Sequence, residues 1–209
     1  MHSYFNELTK AEYKIYKKLN TPIKIQDFLE TLPENFYERK DTCYSPRIVL
    51  QKRRAHCLEG AFLGASLLWY HGRPPLLLDL QAVDRDYDHV VAIYRQNGCW
   101  GAISKTNYAQ LRFRDPVYKT IRELALSYFH EYFLDSGVKT MRKFSRPFDL
   151  SRYKKFNWIT THLPLWRIGD DLDDSPHYSI ANKKTLRNLR PADPIEVQAG
   201  KLKIWSDSR

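Results

Sequence analysis

Cys57 and His89 are the two side chains of this sequence whose types and spacing could do chemistry together. Cys57 opens the run Cys57-Leu58-Glu59-Gly60-Ala61, which leads into the apolar stretch AFLGASLLWYHG. A thiol at a helix N-terminus feels the positive end of the macrodipole and the unpaired N–H groups of the first turn, and both favour the thiolate. Arg53 and Arg54 just upstream push the same way. His89 follows the acidic segment DRDYD and heads the strand-like run HVVAIYR. A nucleophilic cysteine needs a base within hydrogen-bond reach, and a neighbouring strand can supply one. With a period of two, His89, Val91 and Ile93 share a strand face; if that face meets the helix, His89 is carried toward its start. The inert alternatives are a buried core cysteine and a histidine capping a strand end through Asp86 or Asp88.

The elements that must position this pair can be read from local signals. Tyr4, Phe5, Leu8, Ile15 and Leu19 lie at helical spacing over residues 4–19. Thr21-Pro22 and Ser45-Pro46 each read as an N-cap followed by proline at the first helical position. The first opens a short helix that stops at Pro33, the second the segment PRIVLQKRR, with a loop, ENFYERKDTCY, between them. From Cys57 to Gly72 the chain is apolar on all sides and carries Gly60, Ala61, Gly64, Ala65 and Ser66, so it predicts a central helix closely approached by its neighbours. Three strands follow over 75–82, 89–95 and 99–104, the last two joined by the tight-turn pair Asn97-Gly98. Asp115-Pro116 reads as a further cap, opening a helix over VYKTIRELALSYFHEYF. Residues 138–209 read as an irregular extension with short strands and one short helix near 181–190. GDDLDD (169–174) lacks the glycine and glutamate spacing of a calcium loop and reads as a solvated loop.

These residues resemble a known family. A helix-starting Cys57 followed by acidic and small residues, the strand Asp88-His89-Val90-Val91, and the hairpin partner Gly98-Cys99-Trp100-Gly101-Ala102-Ile103-Ser104 look like the transglutaminase-like core, a circular relative of papain-type cysteine proteases. The likeness covers roughly residues 42–110. It implies a Cys–His–Asp type triad that transfers an acyl group from an amide through a thioester. Family members carry an acid soon after a tryptophan on the strand following the histidine. Counted from Trp100, the matching position here is Ser104, with Asn107 beyond it. Serine accepts a hydrogen bond from imidazole but cannot stabilise imidazolium as a carboxylate does. Asn107 could orient the ring if the strand end curves back. Asp79, a lone acid in LLLDL, is a third candidate, with a salt bridge as its plain alternative. Gln51 stands where a side-chain amide could complete an oxyanion hole, unless it is a surface glutamine. Glu59 reads as a first-turn acid that complements the dipole, or as a substrate-directed acid.

The sequence thus predicts one α+β domain over 1–209. It has N-terminal helices (1–41), a papain-like, transglutaminase-like core (42–136) in which a central helix packs on an antiparallel sheet, and a C-terminal extension (137–209). Its expected activity is thiol-dependent acyl transfer on amide bonds of a protein or peptide substrate, as a peptidase, amidase or transamidase. A catalytically silent binding module of the same fold is one rival. A basic nucleic-acid binder is the other, because the 209 residues carry a formal net charge of +10. The basic residues are spread along the chain with no block of five, and basicity alone is a weak indicator of nucleic-acid binding. Neither a phosphate-binding glycine loop nor zinc-type ligand spacing occurs, so no cofactor and no metal are expected. Three cysteines argue against a disulfide framework and for a reducing, cytoplasmic compartment. No membrane span and no secretory leader are expected, and nothing specifies an oligomeric state.

Overall fold

The computed structural model describes residues 3–35 and 42–205, so the loop expected over 34–44 lies largely outside the described residues. Helix α1 (Lys10–Lys18) follows a 3-10 turn at Ser3–Phe5 and is shorter than the 4–19 spacing predicts. Thr9 sets its start: its hydroxyl accepts from the Glu12 N–H, and the Glu12 carboxylate accepts from the Thr9 N–H. Helices α2 (Pro22–Glu30) and α3 (Pro46–Lys52) begin where Thr21-Pro22 and Ser45-Pro46 say they should, each cap hydroxyl accepting from a first-turn N–H. Arg53, at φ 56°, ends α3 and turns the chain toward Cys57.

Helix α4 (Cys57–Tyr70) is buried over most of its length. It lies against an antiparallel sheet in the order β4-β3-β2-β1-β5-β7, with β6 also pairing β1. The strands are β1 (Leu76–Gln81), β2 (His89–Gln96), β3 (Cys99–Ile103), β4 (Arg114–Tyr118), β5 (Lys143–Ser145), β6 (Phe148–Asp149) and β7 (His177–Ser179). Asn97 and Gly98 both have positive φ, 50° and 81°, as a two-residue hairpin turn requires. At Gly64 an added Cβ would come within 3.2 Å of the Ala92 Cβ, so glycine here sets how closely α4 meets the sheet.

Two expectations about these elements are corrected. Asp115-Pro116 does not cap a helix; it lies in β4, an edge strand, where the N–H that proline lacks costs no ladder bond. The following helix, α5 (Ile121–Leu126), is capped by Thr120 with Glu123 three residues on, and a 3-10 turn continues it at Phe129–Glu131. Residues 137–205 carry the short strands and the short helix near 181–190 that the sequence leads one to expect, and those strands join the sheet. These residues supply β5 and β6 against β1 and β7 against β5. They also form a 3-10 helix (Leu150–Phe156) and helices α6 (Trp166–Asp173), α7 (Lys183–Arg187) and α8 (Pro194–Gly200). GDDLDD is therefore mostly helical: Ile168 and Leu172 of α6 are buried, and the aspartates fall on its polar side.

The sheet has an apolar layer on each face. Leu77, Val90, Ala92, Tyr94 and Ile103 belong to the core built with α4 and the N-terminal helices. Leu78, Leu80, Val91, Ile93 and Ala102 belong to a second core with Leu124, Tyr128, Tyr132 and Phe144. The whole is an α+β arrangement of helices on both faces of an antiparallel sheet. Among the described residues no helix is long and apolar enough to cross a membrane.

Candidate active site

The face assignment of β2 corrects the sequence reading. Val90 and Ala92 face α4, whereas Val91 and Ile93 pack on the opposite layer, and His89, paired with Leu80, shares their side. His89 nevertheless meets Cys57, because each stands at the end of its element. Cys57 is the first residue of α4 and His89 the first of β2, so no rung of sheet separates them. The Cys57 Sγ lies 4.0 Å from the Asp88 carbonyl oxygen, and both His89 and its chain neighbour His56 stand near enough to the thiol to lower its proton affinity.

The far side of the His89 ring is held by Ser104. Nε2 lies 2.8 Å from the Ser104 Oγ, and that hydroxyl donates at 2.5 Å to the Leu111 carbonyl. Since the serine proton is given to Leu111, the oxygen accepts from His89, so Nε2 carries a proton and Nδ1 is the nitrogen left for the sulfur. Two further contacts fix this relay. The buried Gln26 of α2 clamps the Ser104 backbone, accepting from its N–H (2.9 Å) and donating to its carbonyl (2.8 Å). Leu111 adopts φ 57°, and its N–H donates to Glu131, which is paired with Arg114. Ahead of His89, the Tyr132 hydroxyl donates to the Tyr87 carbonyl and Thr140 to Asp86, fixing the acidic turn.

Three candidates do not join the pair. Asp79 is fully buried in β1 but faces the α4 side with Val90; its Oδ2 lies 2.9 Å from Nε2 of His177, so the salt-bridge reading holds. Asn107 lines the cleft, but its side-chain amide clamps Trp205, donating to its carbonyl and accepting from its N–H, both at 2.8 Å. Gln51 is exposed on α3 and lines no part of the cleft. Nor do Asp86 and Asp88 cap the His89 ring: Asp86 accepts from Thr140, and Asp88 from the Ala82 N–H. Gln51 thus offers no amide to the cleft, and the N–H groups of Cys57 and Leu58, in the first turn of α4, are left by the helix without intrahelical partners.

The sequence reading passed over His56, and of its two readings of Glu59 the structure excludes the substrate-directed acid. Glu59 is fully buried and unavailable to substrate. Its Oε1 accepts from the Thr42 hydroxyl (2.7 Å) and the Tyr44 N–H (2.9 Å), its Oε2 from the His56 N–H (3.1 Å) and the Asn35 side chain (3.1 Å). The S/T-x-x-E capping spacing, here with histidine at the cap, was the signal that links the two. His56 Nε2 lies 2.9 Å from the Thr42 carbonyl and 3.3 Å from Glu59 Oε1. Gly60 matters too, since an added Cβ would fall 2.3 Å from the Lys105 Cβ. Lys105, itself buried, pairs at 3.0 Å with Glu34 on the cleft wall.

The electrostatics separate the cysteines. Burial would raise the Cys57 thiol, but hydrogen bonds from His56 and His89 and their charges hold it well below the ordinary thiol range. Cys43, buried beside Glu59, is pushed up to about 12. All three cysteines are free thiols. Cys57, half-buried, and His89 open into a cleft of about 700 Å³, whose far wall includes Tyr108, Gln110, Val197 and Gly200. Among the described residues no three His, Cys, Asp or Glu side chains converge as a metal site requires.

No protein-family model matches this chain, and no curated protein matches it at a significant level.

Proposed function

We propose that this protein is a thiol-dependent acyl-transfer enzyme of transglutaminase-like, papain-like kind, acting on amide bonds of a protein or peptide. The observation that carries this reading is His89 beside Cys57, lowering the proton affinity of the thiol, with Ser104 on the far ring nitrogen, at the wall of a large cleft. The thiol gives its proton to His89 Nδ1, and the sulfur attacks the amide carbonyl carbon, forming a C–S bond and moving the carbonyl π electrons onto oxygen. The N–H groups of Cys57 and Leu58 stabilise that oxyanion. As the C–N bond breaks, the proton on His89 passes to the departing nitrogen, so the amine leaves neutral and a thioester remains. A water or an amine then attacks, giving a proton to His89, and the thiol is regenerated as the C–S bond breaks and the proton returns. Water makes the enzyme a peptidase or amidase; an amine makes it a transamidase.

The binding-module reading draws on one specific observation, that His89 is backed by a serine and not by a carboxylate. One experiment separates the two. Incubated with an activated ester such as p-nitrophenyl acetate and quenched in acid, the enzyme accumulates one acyl group, on Cys57 by peptide mapping. Cys57→Ala accumulates none there, and His89→Ala is acylated once but does not turn over. Acylation spread equally over Cys43, Cys57 and Cys99, or turnover surviving unchanged in His89→Ala, favours the silent module and contradicts the enzyme.

A further inference from the structure

Two imidazoles lower the proton affinity of the Cys57 thiol, and the one that the acyl-transfer steps leave unused is the chain neighbour His56, with a carboxylate behind it. Glu59 is fully buried, and a buried carboxylate persists when donors and a counter-cation satisfy it. Its neutral donors come from Thr42, Tyr44, Asn35 and the His56 backbone; among the described residues its ion-pair partner is the His56 ring. The Thr42 carbonyl can only accept, so the His56 Nε2 that points at it carries a proton. With Nε2 so engaged, Nδ1 is the nitrogen left for the adjacent sulfur.

We propose that His56, anchored by Glu59 and Thr42, is a fixed cation that keeps Cys57 ionised, while His89 is the imidazole that carries protons to and from substrate. This rests on the reading of Cys57 as the nucleophile. It assigns the missing acid of the triad a place: the carboxylate lies behind the second histidine, as a Cys57–His56–Glu59 chain folded into one turn of helix. His56 is a positioning residue here, acting on substrate only through the sulfur. Its ring is held charged to about pH 10, because hydrogen bonds to Cys57 and Glu59 outweigh the effect of burial. Other groups facing the site do not replace it. Glu34 is neutralised by Lys105, the buried Tyr132 hydroxyl is raised out of the physiological range, and Cys43 on the far side of Glu59 stays a neutral thiol.

The test is the rate of Cys57 alkylation by iodoacetamide as a function of pH, with the Cys57→Ala background subtracted, in wild type, His56→Gln and His89→Gln. In wild type the midpoint lies well below the ordinary thiol value of about 8.5. His89→Gln keeps that low midpoint, within about one unit, and is still acylated by p-nitrophenyl acetate, yet loses turnover because no base activates water against the thioester. His56→Gln moves the midpoint up by about two units. An unmoved midpoint in His56→Gln, or one near 8.5 in His89→Gln, overturns the division of roles. A wild-type midpoint itself near 8.5 overturns the nucleophile reading instead, so the two failures are distinct. Should His56→Gln not fold, 15N-histidine spectra of wild type at about pH 8 decide: both His56 nitrogens protonated supports the proposal, and a neutral ring overturns it.

Discussion

At the scale of single residues the account turns on where protons sit. Ser104 is a neutral acceptor whose own proton is fixed on Leu111, so it sets the His89 tautomer without adding charge. Removing it costs orientation and leaves the sulfur alone. Ser104→Ala therefore lowers the rate of acylation by an amide substrate about tenfold, the size expected when one neutral hydrogen bond is lost. The pH midpoint of Cys57 alkylation stays within about half a unit of wild type. Stopped-flow acylation beside an alkylation titration reads both quantities. An equal fall in thiolate content shows that Ser104 acts on the nucleophile, contrary to its assigned role. The Cys57–His89 partnership was legible in the sequence because a helix-starting thiol and a strand-heading histidine are local signals. The third residue was legible only as a choice among three, since Ser104, Asn107 and Asp79 differ in which distant chain claims them: Leu111, Trp205 and His177.

At the scale of elements, the strands of the C-terminal region bind the sheet through a buried ion pair. His177 donates from Nδ1 to the Ser175 carbonyl at 2.6 Å and from Nε2 to Asp79 at 2.9 Å, so both ring nitrogens carry protons and the ring is charged. Burial lowers its proton affinity, but Asp79 and the Ser175 carbonyl raise it more, leaving the folded value above the ordinary histidine value of 6.5. A folded value above the unfolded one means a stabilisation fully present below about pH 6.5 and lost as pH rises through the folded value. Urea unfolding should show wild type losing stability between about pH 6 and pH 9, with that component absent from His177→Gln. At about pH 6 the variant is about 3 kcal/mol less stable, because it leaves Asp79 buried without a counter-charge. A pH dependence shared by both proteins contradicts this. The sequence offered β1 clearly, yet it offered β5, β6 and β7 only as short strands without positions. Strands of two or three residues have no periodicity of their own and exist because β1, or β5 already paired on it, is there to pair with.

Across the whole molecule, the cleft is assembled from parts far apart in the chain: the tips of α4 and β2, the turn after β3 and the end of α8. The α+β class and the central helix followed from local composition, such as the small residues that let α4 approach Ala92. Which face of β2 meets the helix did not. Both faces are apolar because helices cover both, and so alternation carried no information. The Cys57–His89 meeting survives that error because it takes place at the sheet's end. The claim on which all else depends is that the Cys57 sulfur gives up its proton to neighbouring imidazoles in the resting protein. Thiolate absorbance near 240 nm, recorded as wild type minus Cys57→Ser across pH, tests it most directly. The account predicts a full thiolate signal already present at about pH 7. A signal that appears only above about pH 8.5, as for an isolated thiol, would contradict it.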